Sequence, residues 1–319
     1  SQESQEALGV MRNIYVALDR VDEFLRFTQG LDFANVSIAQ QDSLTFMAAE
    51  AIYMKGDCEN ARRSLASYLE RFPQGIFALN AHFYMAECDL RANNLQAALN
   101  GYSFVINRPM SAFTENALLR AGQIEVRLNN HSAALEHFRR LEQIAAIPAN
   151  RLEAQTGQMR ALFQLKRYRE CIDMATSLAA SPRATQEVRQ EAHLLAGKSA
   201  MELSQPVQAR NSLRSAMNLL NNEMAAQAMY YLALIEFQIG NYAETERLVF
   251  DFVNRMSAYD YWLAKTFILL ADTYLAIGNV FQARHTLQSI IDNYQGAELR
   301  ALAIQKLDAI NAMERNQPR

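Results

Sequence analysis

Cysteine is scarce. Cys58, Cys88 and Cys171 are the only three among 319 residues. None falls in a C-x-x-C pair or at metal-ligand spacing, which argues against a zinc module or a dithiol redox motif. A disulfide between Cys58 and Cys88 in an oxidising compartment stays open, so cysteine does not settle where the chain works. Histidine is equally sparse. His82, His131, His137, His193 and His285 form no H-E-x-x-H and no i, i+4 pair, against a shared metal site. No apolar run approaches the roughly 18 residues of a membrane-spanning helix. The opening Ser1-Gln2-Glu3-Ser4-Gln5-Glu6 is polar and has no signal-peptide core. A mature or truncated chain would read the same way, so export is not ruled out. No basic run stands out either. Thirty-one Lys and Arg face 34 Asp and Glu, a formal net charge of −3, and nothing interleaves aromatic with basic residues. Nucleic-acid binding is therefore not expected.

Catalytic signatures are missing as well. There is no G-x-S-x-G. Ala196-Gly197-Lys198-Ser199 ends like a P-loop, but the motif needs glycine where Ala192 stands and a strand before it. Carboxylates are spread evenly, as on any solvated helical face. The chain reads as non-enzymatic, with no cofactor and no metal.

What is present is a repeat. Phe267, Leu270, Ala271 and Tyr274 lie on one side of a 3.6-residue helix. Gly278 can take the positive φ that ends it, and Asn279 can cap the next helix, which resumes at Ala283, Leu287 and Ile290. The same phrase recurs with its turn at Asp19, Gly56, Asn93, Asn129, Lys166, Ser204, Gly240 and Gly278, a period of 36 to 38 residues. Seven residues before the turn stand Arg12, Ala49, Ala86, Gly122, Met159, Gly197, Ala233 and Ala271. Five residues after it stand Phe24, Ala61, Ala98, Ala134, Cys171, Ala209, Thr245 and Ala283. Small residues in phase let two helix backbones approach closely. Half of the 319 residues are apolar, ample for a core; the length exceeds what a single compact core usually spans but is ordinary for an array whose units bury their faces against neighbours.

The expected hairpins are 5–29, 42–72, 79–107, 115–146, 151–180, 186–221, 223–256 and 260–294, with 297–314 as a capping helix whose outer face carries Glu298, Arg300, Lys306, Asp308, Glu314 and Arg315. Residues 30–41 read as irregular. Pro73, Pro109, Pro148 and Pro182 mark the joins. In the sixth repeat Ser204 is expected to cap and Pro206 to open the following helix. No linker divides 1–319, which reads as one domain.

The pattern resembles the tetratricopeptide (TPR) family: Ala49, Gly56, Ala61 and Pro73 match it in the second repeat, and Gly240-Asn241-Tyr242 and Gly278-Asn279 match its turn. The usual early Trp is absent, with Trp262 just before its repeat. The period exceeds the family's roughly 34 residues, so two to four extra residues are expected in the inter-repeat turns. Residues 42–73 and 260–294 are more narrowly similar to long bacterial envelope, Tol–Pal-associated multi-TPR proteins, which implies that the chain is a fragment and favours a periplasmic or envelope location, with a cytoplasmic one left open. The resemblance implies an all-α, right-handed superhelical α-solenoid whose first helices line a concave groove. The inward positions it suggests include Phe83, Arg91, Arg127, Arg160, Phe163, Lys198, Tyr230 and Phe237, apolar anchors around a basic middle. The paired Lys and Asn of a carboxylate clamp are missing. The implied role is a scaffold holding a protein or peptide segment. Two alternatives stand beside it: an envelope glycan-binding accessory using Tyr53, Tyr230, Tyr261 and Trp262, and a spacer within a longer solenoid.

Overall fold

The computed structural model describes residues 2–31, 34 and 36–315, without the side chains of Gln2, Glu314 and Arg315. Those residues are all-α, and the capping-helix roles expected of Glu314 and Arg315 lie outside the described side chains. Helices run in pairs, A then B. The first pairs are α1 (Gln2–Ala17) with α2 (Val21–Gln29), α3 (Ile38–Met54) with α4 (Cys58–Arg71), α5 (Ala78–Arg91) with α6 (Leu95–Ile106), and α7 (Thr114–Arg127) with α8 (His131–Ile144). Then come α9 (Pro148–Gln164) with α10 (Tyr168–Ala180), α11 (Gln186–Glu202) with α12 (Pro206–Leu219), α13 (Glu223–Gln238) with α14 (Tyr242–Met256), and α15 (Asp260–Ala276) with α16 (Val280–Asn293). A last helix, α17 (Ala297–Arg315), packs on α16. The chain divides into two compact units, Ser1–Gly157 and Gln158–Arg319.

The eight residues placed at the turns from sequence all have positive φ, from 54° at Asp19 to 82° at Gly56. Among the described residues no other position does. Three of the eight are glycine, for which this conformation costs little; Lys166 and Ser204 bear it with a Cβ. Ser204 thus forms the turn itself, contrary to the expected cap. Gln205 precedes α12 without a side-chain cap bond, and Pro206 takes the first helical turn. Asn279 does cap α16, accepting from the Gln282 N–H at 3.2 Å.

Close helix approach explains the small residues. Ala49, Ala86, Ala233 and Ala271, and their partners Ala61, Ala98, Thr245 and Ala283, are all buried. A Cβ on Gly197 would come within 2.6 Å of the Leu213 side chain, and one on Gly122 or Gly157 would meet the Phe138 ring. Phe138 fills the space that both glycines leave.

Two expectations about the joins need correction. Residues 38–41 of the segment expected to be irregular already belong to α3, because Ser37 and Gln40 form a capping box that starts the helix early; positions 32, 33 and 35 lie outside the described residues. The extra residues of each repeat also do not uniformly lengthen the joins. The connections at 72–77 and 107–113 are long, but those at 220–222 and 257–259 have three residues, and α9, α11 and α15 run to 17 residues.

A polar residue fourteen before the turn fastens three of these joins. The Asp42 carboxylate accepts from the Tyr68 hydroxyl at 2.6 Å and the Ile76 N–H at 2.9 Å. Glu115 accepts from the Ala146 N–H and the Asn150 amide. The Gln190 amide donates to the Ala216 and Leu220 carbonyls and accepts from Asn222 at 2.7 Å. Each satisfies backbone groups that a helix end leaves open.

Candidate functional site

In the second unit, successive A helices bring lysines and aromatic rings together. Lys198 of α11 places its Nζ 5.0 Å from the centre of the Phe163 ring of α9 and 5.3 Å from that of Tyr231 of α13. Lys265 of α15 lies 4.8 Å from Tyr230, 5.3 Å from Trp262 and 5.6 Å from Tyr261. The rings touch one another: Tyr230 and Tyr231 at 5.3 Å between centres, Tyr230 and Trp262 at 5.6 Å, Tyr261 and Trp262 at 5.2 Å. Each cation on a ring face contributes about 0.5–1 kcal/mol when exposed and ~2 when desolvated. That is enough to hold long, flexible side chains in one place.

The electrostatics follow from this crowding. Burial, with the Lys265 charge adding to it, pulls the Lys198 ammonium below the usual lysine range, and Glu202 opposes that shift. The Tyr230 hydroxyl is pushed up to about 12 by burial, with Tyr231, Tyr261 and Asp272 adding, and burial raises Tyr231 as well. Both hydroxyls therefore stay protonated at neutral pH and can donate.

Three carboxylates on these helices are committed elsewhere. Glu191 takes both arms of the Arg160 guanidinium at 2.6 and 2.7 Å. Asp272 holds the Lys306 ammonium at 2.7 Å. Glu223 accepts from the Trp262 indole N–H at 3.2 Å. Among the described residues, neither Lys198 nor Lys265 has a carboxylate within ion-pair distance or an acceptor for its N–H groups.

Of the residues proposed from sequence, Phe163, Lys198 and Tyr230 share this cradle. Arg160 stands on the same helix as Phe163, held by Glu191. Phe237 is half-buried and packs on Tyr242 of α14 instead. The other three belong to the first unit. Phe83 is only 7% exposed and is taken up by packing against Tyr84, Tyr102 and Phe113. Arg91 lies over the Tyr53 ring at 5.6 Å and points a guanidinium nitrogen at Cys58 Sγ, 3.7 Å away. Arg127 donates to the Asn93 side chain. Sequence reasoning missed Lys265 and Tyr231. Lys265 sits one helical turn before the inward position at Ile268, so extending the stripe backwards would have found it. Tyr231 lies beside the inward Tyr230 and carries no periodic signal.

Two stretches, 42–75 and 261–297, match the tetratricopeptide repeat family. The chain carries tetratricopeptide repeats. The remaining TPR-like hairpins share their turn geometry, and all but the first and fifth keep a small residue seven positions before the turn. No curated protein shows a match to the chain. Among solved structures, the C-terminal part of a TPR repeat-containing protein from Cytophaga hutchinsonii aligns with a TM-score of 0.58 at 12% identity, covering 80% of this chain and 97% of that one. PilW, a widely conserved type IV pilus biogenesis factor, gives 0.53 at 18% identity, covering 71% and 98%. The apo form of the quorum sensor NprR from B. thuringiensis gives 0.53 at 12% identity, covering 98% and 94%. These likenesses establish the TPR-type fold and go no further.

The first unit holds the disulfide that sequence left open. Cys58 at the start of α4 is bonded to Cys88 of α5, with Cα atoms 5.1 Å apart. Cys171 is free and buried. Among the described residues no cluster of three or more His, Cys, Asp or Glu could hold a metal, and no helix is long and apolar enough to cross a membrane.

Proposed function

We propose that this chain is a non-enzymatic protein-interaction scaffold, and that the A-helix face of its second unit holds a segment of a partner protein. The observation that carries this reading is the cradle on α9, α11, α13 and α15. It combines ring surface, protonated hydroxyl donors and two ammonium groups lacking an ion-pair partner among the described residues. Aromatic anchors beside charged groups are what a protein segment recognises in a groove. The disulfide in the first unit favours an oxidising compartment.

Sugar stacking is the weaker alternative. It needs open ring faces, and Lys265 already lies over Tyr230, Tyr261 and Trp262, while Trp262 is buried. Tyr53 sits in the other unit, stacked on Tyr84.

A photo-crosslinking residue at position 231 tests the reading, with one at the exposed Val207 of α12 as control. The expected result is a crosslink from position 231 to one discrete polypeptide segment that position 207 does not capture. Identical capture at both positions, or none at 231, would remove the cradle from the binding surface.

A further inference from the structure

Six ammonium N–H donors on Lys198 and Lys265 face the A-helix side of the second unit without an acceptor among the described residues. The rings fix both side chains in place, yet π faces do not replace hydrogen-bond acceptors for an ammonium. Three carboxylates on the same helices, Glu191, Asp272 and Glu223, are bound to Arg160, Lys306 and the Trp262 indole. Glu202 reaches Lys198 only through its field, without contact. The cradle therefore holds two ammonium groups over aromatic surface without an ion-pair partner among the described residues, and only the field of Glu202 offsets their charge.

Resting on the scaffold reading above, we propose that Lys198 and Lys265 together form the recognition point for an acidic peptide segment, one that supplies two carboxylates to the ammonium pair and an apolar side chain to the rings. Charge complementarity selects this partner. An approaching carboxylate gains charge-assisted hydrogen bonds at both sites and relieves the repulsion between the two lysines. The segment loses little by being held there, because the receiving side chains are already ordered by the rings.

The test uses the full chain and two labelled, end-blocked peptides of glutamate and phenylalanine, the second with every glutamate replaced by glutamine. The probe measurement is fluorescence anisotropy. The native chain should bind the glutamate peptide on the order of tenfold more tightly than its glutamine counterpart. The Lys198→Met/Lys265→Met variant keeps the side-chain stems on the rings and should lose that preference, with its circular dichroism unchanged. Equal affinity of the native chain for both peptides, or a preference that survives in the variant, would overturn the proposal. Displacement of the glutamate peptide by inorganic phosphate at equal concentration would also overturn it, showing a general anion site. These failures are separable from failure of the scaffold reading. A crosslink at position 231 to a segment without acidic residues would leave the scaffold standing and remove only the acidic partner.

Discussion

Six residues before the turn, the second and third repeats carry Glu50 and Glu87, while the fifth and sixth carry Arg160 and Lys198. The register is the same and the charge is reversed. In the first unit both carboxylates are answered from within: Glu50 accepts from the Tyr84 hydroxyl at 3.1 Å, and Glu87 from Tyr102 at 2.6 Å with Arg120 at 3.6 Å. Burial and the Glu50 hydrogen bond push the Tyr84 hydroxyl up to about 12. The Cys58–Cys88 disulfide closes the same region. In the second unit Arg160 is answered by Glu191 but Lys198 is not. One repeat register thus supports either a self-satisfied polar face or a face that keeps charge for another molecule. What decides is whether the following helices supply a hydrogen-bond or ion-pair partner.

The comparison can be broken at several points, with unit-resolved hydrogen exchange and urea denaturation as the readouts. The largest effect is expected at Phe138, which fills the space left by Gly122 and Gly157 in the first unit. Phe138→Ala should cost about 3–5 kcal/mol there. A loss spread equally over both units would show that they do not unfold separately. Next comes Cys58→Ser, which should destabilise the first unit by roughly 2–4 kcal/mol and leave protection in α11 to α16 unchanged. In the second unit, Gly197→Leu drives a side chain into Leu213 and should cost about 1–3 kcal/mol. No change would mean that the helix contact there is looser than the register implies. The smallest effect has the opposite sign. Lys166 holds a left-handed conformation at φ 58°, so Lys166→Gly should stabilise the chain by roughly 0.5–1 kcal/mol.

Much of the fold was legible because each repeat states the same steric requirement. A small residue is needed where Ala271 meets Ala283, and a residue tolerating positive φ where Gly278 stands. Eight repetitions make that pattern readable even where Lys166 or Ser204 replaces glycine. The joins were less legible. Asp42, Glu115 and Gln190 share one register position but look like ordinary surface residues until the bonds they make are seen. Side-chain partners across repeats were the least legible. Nothing in the spacing says that Phe83 is spent on Tyr102 and Phe113, or that Lys265 rests on three rings. Periodicity identifies a face of a helix. It does not identify which charges on that face have found a partner.

The most direct measurement places the same photo-crosslinking residue at position 231 in the second unit and at position 53 in the first, and compares what each captures. A discrete acidic segment is expected at 231 and no specific capture at 53, where Tyr84 and Arg91 already occupy the ring. Capture at 53 with none at 231 would contradict it, and would place recognition on the face described here as closed.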